Sequence, residues 1–325
     1  MEEHDLNTAK QESNNQLNER FNAAKRLVAD HLLPQTPRYC IEHDVILDPT
    51  TRVRIEEAIN KIKYHKTIYK DWGFEAVDPD GSGLSLNLYG RPGTGKTMTA
   101  EAIAGTLELP FLNISLADLE SKFMGETSKN IQTIFKTAKE YQAVIFFDEA
   151  DTLLGKRLAT VTQGIDNEVN ACRSTLLIEL EKFDGVTIFA TNFVENYDKA
   201  FQSRISYHIH IPMPNEDARR AIWRRFLIPS IPYQDDVETI VDFAAAESDG
   251  FSGRDIRTAM RLALPKVFSD TQAEDSEVSK RLGWEHIEEA IAEVRRAQAE
   301  VGQYVNPNSK AELDASRALL GVNKK

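Results

Sequence analysis

The chain has 325 residues and a formal net charge of −12 at pH 7. This length predicts two domains and is sufficient for a sizeable core. The acidic total, without any block of consecutive basic residues, argues against a dedicated duplex-DNA binder, and nucleic acid is not an expected partner. Only two cysteines occur, Cys40 and Cys172, so a disulfide framework is excluded.

The N-terminal region is polar, and its apolar residues have helical spacing. It predicts one amphipathic helix that ends before Pro34 and Pro37. Its role is open between a disordered tail and a docking helix for a substrate or partner. The acidic start is no signal peptide, and no apolar run approaches the length of a membrane span. A soluble, intracellular, cytoplasmic protein is therefore expected. The apolar positions of this helix are Leu17, Phe21, Ala24 and Val28.

A second helix is predicted to begin at Asp48-Pro49, a capping residue followed by proline. Leu84–Tyr89 alternates in polarity and predicts a strand, which runs directly into Gly90-Arg91-Pro92-Gly93-Thr94-Gly95-Lys96-Thr97. This is a G-x-x-x-x-G-K-[ST] phosphate loop, and the run from Met98 to Glu108 predicts the helix that the motif requires. The alternative is a glycine-rich turn with a chance lysine, which does not explain the flanking strand and helix.

The chemistry of the loop follows from its residue types. Its glycines let backbone N–H groups close around phosphate oxygens at a helix N-terminus. Lys96 can reach the β- and γ-phosphates, and the Thr97 hydroxyl can bind Mg²⁺. A nucleotide and Mg²⁺ are therefore the predicted ligands.

A second cluster of polar residues follows the continuous apolar run Val144–Phe147, which is typical of a strand buried on both faces. Asp148 and Glu149 come directly after it, where ligands bind to parallel sheets. Asp148 would hold Mg²⁺ through its water shell, and Glu149 would polarise the attacking water. A solvated acidic turn is the alternative for these carboxylates considered alone.

With these two motifs, residues 44–270 resemble the AAA+ ATPases, with Gly90–Thr97 as Walker A and Asp148-Glu149 as Walker B. The resemblance implies a P-loop NTPase fold of class α/β, in which helices cover a parallel sheet and a small helical lid domain follows. The implied domains are 1–43 (N-terminal helix or tail), 44–213 (ATPase), 214–302 (lid) and 303–325 (C-terminal tail). The implied nucleotide-binding residues are Gly90, Pro92, Gly93, Thr94, Gly95, Lys96, Thr97, Met98, Asp148 and Arg254.

The resemblance also implies roles in hydrolysis. Asn192, after the apolar strand Val186–Ala190, matches sensor 1, which orients the lytic water. Arg204 matches an arginine finger that reaches the γ-phosphate of the neighbouring subunit. Family members often have two arginines there, and Ser203 fills the other position in this chain. Seen alone, Arg204 would be an ordinary surface arginine.

A substrate-binding loop is implied by Ser121–Thr127, which is very similar to the first pore loop of the clade containing katanin, spastin and the vacuolar-sorting ATPase. Phe123 and Met124, flanked by Lys122 and Gly125, match the residues that grip a polypeptide in the channel. On periodicity alone, Phe123 and Met124 would be core residues of a short helix. The stretch Leu158–Ile165 is interpreted as a second pore loop.

Two features depart from that clade. Arg254 stands where the clade usually has a small residue, and other AAA+ branches place a sensor 2 arginine there; a surface salt bridge is the alternative. The Gly-Gly motif of the adenine pocket is missing, and Asp44–Leu47 occupies that region.

His208 and His210 share one strand face but lack an apparent third ligand, so no zinc site is predicted.

The resemblance thus implies a Mg-ATP-hydrolysing motor that remodels, unfolds or disassembles protein substrates by threading, most readily as a homo-hexameric ring. Two alternatives remain. One is a nucleic-acid-associated AAA+ ATPase, such as a helicase loader or restriction motor. The other is a switch that assembles on ATP without translocating.

Overall fold

The computed structural model describes residues 33–78, 83–115, 127–154, 164–192, 198–268 and 280–304, and in these ranges five strands form one parallel sheet. The order of the strands is β2-β3-β4-β1-β5, so the phosphate loop follows a strand with neighbours on both sides. The prediction of a parallel α/β sheet is confirmed. The strands are β1 (Leu84–Tyr89), β2 (Phe111–Ser115), β3 (Val144–Asp148), β4 (Val186–Thr191) and β5 (Tyr207–His210).

The central strands are buried on both faces. Every residue of β4 is buried, and so are the first four residues of β3. Phe147 of β3 stacks on Phe189 of β4, with ring centroids 5.2 Å apart. Since both faces are covered, these strands are mostly apolar, and the uninterrupted run Val144–Phe147 of β3 made that strand recognisable in the sequence.

The chain forms two compact units. The first contains the described residues up to Val45, together with Pro49–Arg91 and Lys96–Ile211. The second contains Ile46–Asp48, Pro92–Gly95 and the described residues from Pro212 onward. The middle of the phosphate loop thus belongs to the second unit, while the lysine and threonine that end the loop belong to the first.

Helices of the first unit pack on the sheet. The second of them, α2, begins at Pro49 as predicted and buries Ile55 and Ile59. A π-helical turn (Thr67–Asp71) and a 3-10 turn (Phe74–Ala76) connect α2 to β1. The α-helices are α1 (Ile41–Asp44), α2 (Pro49–Lys63), α3 (Lys96–Thr106), α4 (Thr127–Tyr141), α5 (Asp151–Leu154), α6 (Gly164–Lys182) and α7 (Lys199–Arg204).

The segment before α2 is attached to the edge of the sheet and to α3. Gln35 and Phe111 of β2 exchange two backbone hydrogen bonds of 2.8 Å, and the Arg38 guanidinium makes two bonds of 2.9 Å to the Glu101 carboxylate. Hydrogen bonding to Arg38 lowers the pKa of Glu101, so this contact is stabilising at neutral pH and weakens as the pH falls through that lowered pKa. Gly105 permits the close approach, since a Cβ there would lie 2.0 Å from the Tyr39 carbonyl oxygen.

The second unit is helical and has its own core. Its helices are α8 (Glu216–Phe226), α9 (Val237–Glu247), α10 (Gly253–Lys266) and α11 (Trp284–Tyr304). Trp223 is fully buried in this core, and its indole N–H donates to the Ser248 hydroxyl over 2.9 Å. Ser252 and Asp255 form a capping box that starts α10. The cap satisfies backbone N–H groups that a helix N-terminus would otherwise leave open.

Several sequence predictions fall on residues outside the described ranges. These are the helix over Leu17–Val28, the pore-loop residues Lys122, Phe123, Met124 and Gly125, most of Leu158–Ile165, and the tail from residue 305 onward. Within the described ranges, no helix combines the length and the apolar character needed to cross a membrane.

Candidate active site

Lys96 is the central residue of the candidate site. It begins α3, and it is buried, with 8% of its surface exposed. Its ammonium donates to the carbonyl oxygens of Gly90 (2.9 Å) and Arg91 (3.0 Å) and to Oδ1 of Asn192 (2.9 Å). An ammonium has three donors, and here each has an oxygen acceptor. A phosphate group that binds in this loop would replace some of these neutral acceptors with charged ones.

Thr97 and Asp148 form the candidate metal site. The Thr97 hydroxyl donates to Oδ2 of Asp148 over 3.0 Å, and the backbone N–H of Glu149 donates to Oδ1 over 2.9 Å. A hydroxyl and a carboxylate are the oxygen ligands that Mg²⁺ prefers, and this ion keeps several waters when it binds. The donor set therefore fits Mg²⁺, with Thr97 and Asp148 already adjacent.

Glu149 has an unusual backbone conformation. Its φ angle is +53°, in the left-handed region that residues with a side chain rarely adopt. Such a conformation costs about 1–3 kcal/mol and persists where the surroundings enforce it. The following N–H, of Ala150, donates to the carbonyl oxygen of Ala190 in β4 over 2.9 Å. This bond fixes the turn after β3 and leaves the Glu149 side chain exposed to solvent.

Asp151 holds Asn192 in place, a role that the sequence did not indicate. The backbone N–H of Asn192 donates to Oδ1 (3.0 Å) and Oδ2 (3.3 Å) of Asp151, and the side-chain amide donates to Oδ2 over 3.5 Å. With its NH₂ directed to Asp151, Asn192 presents its oxygen to Lys96. The run Asp148-Glu149-Ala150-Asp151 contained this residue, but its partner lies 41 positions away.

The part of the loop that belongs to the second unit contacts the start of α10. Gly93 has φ +84°, and a Cβ there would lie 2.4 Å from the Ser252 hydroxyl oxygen, so this position requires glycine. The carbonyl oxygen of Gly93 accepts a bond of 3.3 Å from the backbone N–H of Arg254. The Arg254 side chain is exposed.

Of the remaining predicted nucleotide-binding residues, Gly90 is buried, Met98 is half-buried in the first turn of α3, and Pro92, Thr94 and Gly95 lie in the loop.

Arg204 is not part of this cluster. It ends α7, and its backbone oxygen accepts a 2.6 Å bond from the hydroxyl of Ser85, near the amino end of β1. The phosphate loop follows the other end of that strand. The guanidinium contacts the Glu181 carboxylate through Nε (2.7 Å) and Nη2 (2.6 Å) and donates from Nη1 to Ala200 O over 3.0 Å. Ser203 donates its hydroxyl to Ala200 O as well.

We predict that Asp151→Ala destabilises the first unit, because it removes the acceptor of the Asn192 backbone N–H. Loss of hydrogen bonds to a charged acceptor should cost about 1.5–3 kcal/mol in the free energy of unfolding. Asp151→Asn keeps one acceptor oxygen and should cost less. Urea denaturation of the two variants beside the parent chain measures the difference. Equal stability of Asp151→Ala and the parent would contradict the assigned role.

Comparison with known proteins finds similarity over the part of the chain that contains this site. The family described as "ATPase family associated with various cellular activities (AAA)" matches residues 86–213. Fidgetin-like protein 1 of Drosophila melanogaster is 35% identical over 184 residues, which are 54% of this chain and 34% of that protein. Katanin p60 ATPase-containing subunit A1 of Strongylocentrotus purpuratus is 34% identical over 189 residues, 54% of this chain and 35% of that protein. The chain thus spans about a third of the length of these relatives.

A third relative and one solved structure extend the likeness. Proteasome-activating nucleotidase 1 of Haloferax volcanii is 34% identical over 233 residues, 69% of this chain and 56% of that protein. The crystal structure of the FIGL-1 AAA domain in complex with ADP shares the fold, with a TM-score of 0.59 and 24% identity over 81% of this chain and 85% of that one. The predicted resemblance to AAA+ ATPases of the katanin clade is confirmed. Residues 86–213 are thus similar to this family of ATPases, and the relatives named above share that similarity.

Proposed function

We propose that the protein is a Mg-ATP-hydrolysing AAA+ ring motor that remodels, unfolds or disassembles protein substrates. The observation that carries this proposal is the convergence of Lys96, Thr97, Asp148 and Asn192 at the carboxyl edge of three neighbouring strands. The names of the relatives support a protein substrate, since they include a katanin subunit, a proteasome-activating nucleotidase and the 26S proteasome subunit RPT4.

Each residue of the cluster has a distinct task in this proposal. The loop N–H groups and Lys96 bind the phosphates of ATP, and Thr97 and Asp148 hold Mg²⁺. The metal, when bound, neutralises charge on the phosphoryl group that is transferred. Glu149 accepts a proton from the attacking water, and Asn192 orients that water. Arg254 would sense the nucleotide as a sensor 2 residue.

The proposed ring explains the position of Arg204. A guanidinium that stabilises the transition state must reach the γ-phosphate, yet in its own chain Arg204 lies at the opposite end of β1 from the phosphate loop. A neighbouring copy would bring its Arg204 to the site, so that hydrolysis requires assembly, most simply into a homo-hexamer. Such a finger contributes roughly 10³–10⁵ in rate in other phosphoryl-transfer proteins.

Substrate handling is proposed for the loop Lys122–Gly125. An aromatic side chain such as Phe123 beside Met124 offers apolar contact area without sequence specificity. Gly125 would provide the hinge that lets the loop move with the hydrolysis cycle. The loop would then pull a polypeptide through the channel of the ring.

Glu149→Gln tests the assignment of the base. Glutamine keeps the shape of the side chain but has no carboxylate to accept a proton, so ATP should bind as before while turnover falls at least roughly 10²-fold. Glu108→Gln is a matched control, because Glu108 is also an exposed glutamate in the left-handed region, with φ +56°. Turnover of Glu149→Gln at the rate of this control would refute the assignment.

Arg204→Ala tests the role in trans. The variant should bind ATP but hydrolyse it roughly 10³-fold more slowly or worse. Mixing it with Lys96→Ala, which cannot hold nucleotide, should restore activity at mixed interfaces. There the Arg204→Ala chain supplies ATP, and the Lys96→Ala chain supplies Arg204. The control is a mixture in which the double variant Lys96→Ala with Arg204→Ala replaces the Lys96→Ala chain. This mixture should show no restored activity. Mixed assemblies that stay inactive would exclude the role in trans.

Phe123→Ala separates threading from a core role. If Phe123 grips substrate, ATPase activity and melting temperature should stay near those of the parent, while remodelling of a protein substrate is lost. If it is a core residue, the substitution should cost roughly 3–5 kcal/mol in stability. Phe189→Ala, at a fully buried phenylalanine, gives the reference for a core loss, and Phe268→Ala, at an exposed one, gives the reference for none. A melting temperature close to that of Phe189→Ala would contradict the threading proposal.

A further inference from the structure

A cavity of about 510 Å³ lies in the first unit at the amino ends of β1 and β4, away from the phosphate loop. This volume is in the range of small-molecule binding sites. Three cationic side chains, two carboxylates and one buried hydroxyl line it: Lys61, Lys182, Arg204, Asp78, Glu181 and Thr187. No part of the cluster around Lys96 belongs to its lining.

The two carboxylates of the cavity are already engaged. Glu181 pairs with Arg204. Asp78 lies near Tyr69 and Lys61; burial raises the pKa of the Tyr69 hydroxyl, and the charge of Asp78 raises it further. One cation, Arg204, thus has a carboxylate within 3 Å, while Lys61 and Lys182 add positive charge to the same cavity. The composition of the wall therefore favours an anion.

Lys61 is the cation best suited to bind one. Its side chain is half-buried, and its ammonium donates one bond of 3.0 Å to the carbonyl oxygen of Gly83. Two further N–H donors remain on that ammonium. Burial lowers the pKa of Lys61, because its charge is partly removed from water and only Asp78 opposes the effect. A partly desolvated ammonium interacts more strongly with an anion than an exposed one does.

Thr187 provides an independent observation that points to a ligand in this cavity. It is 1% exposed, lines the cavity, and its hydroxyl oxygen has no hydrogen-bond partner among the residues that the structure describes. A buried hydroxyl without a partner is costly. Ser85, its neighbour across the sheet, differs, since its hydroxyl donates to the Arg204 carbonyl oxygen. Its place in the wall makes Thr187 a candidate hydrogen-bond partner for a ligand in the cavity.

We propose that this cavity accepts a phosphoryl group and that Lys61 binds it beside Arg204. The end of α7 offers only one cation, because Ser203 carries a neutral hydroxyl turned to Ala200 O. Lys61, from α2, supplies the second charge. Two sources present the same chemistry: the γ-phosphate of ATP held by a neighbouring copy, and a free phosphate compound. The first source rests on the proposed ring function, and the second does not.

Titration with pyrophosphate tests the site without a ring. The parent for this experiment is the full chain with Lys96→Ala, so that the phosphate loop does not dominate binding. Adding Lys61→Met should weaken pyrophosphate binding roughly ten- to hundredfold in calorimetry at low salt, since a charge-assisted contact is lost. Thr187→Val should also weaken it. Lys63→Met, at an exposed lysine outside the cavity, should leave it unchanged. Lys61→Arg, which keeps the charge, should weaken it less than Lys61→Met does.

Mixed assemblies test the other source. In the mixture of Arg204→Ala with Lys96→Ala, the Lys96→Ala chain supplies Arg204. Adding Lys61→Met to that chain should lower the restored activity roughly 10²-fold. The same substitution on the Arg204→Ala chain should have no effect. Since both mixtures contain equal amounts of Lys61→Met, a general loss of stability cannot produce this asymmetry.

The outcomes separate the two proposals. Pyrophosphate binding that depends on Lys61, without an effect in mixed assemblies, supports the site with a free phosphate compound as its ligand. Asymmetry in the mixed assemblies supports the γ-phosphate of the neighbour. The inference is overturned if Lys61→Met changes neither measurement. Mixtures that never regain activity count against the ring instead, and the pyrophosphate result then decides on the cavity alone.

Discussion

A buried ammonium must be surrounded by oxygen atoms, and the structure around Lys96 follows from that requirement. Two acceptors come from its own loop, Gly90 and Arg91, and the third is Asn192 at the end of β4. Asn192 is in turn held by Asp151, which follows β3. One cation therefore links the ends of β1, β4 and β3, which are adjacent in the sheet.

This arrangement also determines what a ligand must offer. Gly90, Arg91 and Asn192 offer Lys96 neutral oxygens, so a phosphate oxygen carrying negative charge can compete with them. If it does, Asn192 loses its bond to Lys96 while Asp151 still holds its backbone. The side-chain oxygen of Asn192 would then be released from Lys96, while its backbone N–H stays bound to Asp151. In the proposed mechanism, the response to the nucleotide and the support of the sheet would involve different atoms of one residue.

The sequence predicted what is local or contiguous. The strand Leu84–Tyr89, the loop Gly90–Thr97 and the buried run at Val144 each contain their own signal, because apolar continuity and the spacing of glycines are visible within a few positions. The helix that begins at Pro49 was predicted from the pair Asp48-Pro49, which is also a local signal.

What the sequence did not predict depends on register and packing. The bond between Asp151 and Asn192 spans 41 positions, and the attachment of Arg38 to Glu101 spans 63. The cavity joins Lys61 of α2 to Thr187 of β4 and to Arg204 of α7. No periodicity within a window of the sequence indicates that these side chains meet, because their proximity follows from the strand order β4-β1-β5.

The polarity of the parallel sheet gives the proposed mechanism its direction. Lys96 belongs to the carboxyl ends of the strands, and Arg204 belongs to their amino ends, where Ser85 holds it. From Ser85 to Gly90 a strand rises about 16 Å, which is more than an arginine side chain spans. If both groups act on one phosphate, two copies must meet through different faces, one copy's carboxyl edge against the next copy's amino edge. An open assembly built from such head-to-tail contacts always has an unpaired face at each end. Only a closed ring pairs every face. Hydrolysis in every copy would then require a closed ring, because the terminal copy of an open assembly holds ATP without a neighbouring Arg204.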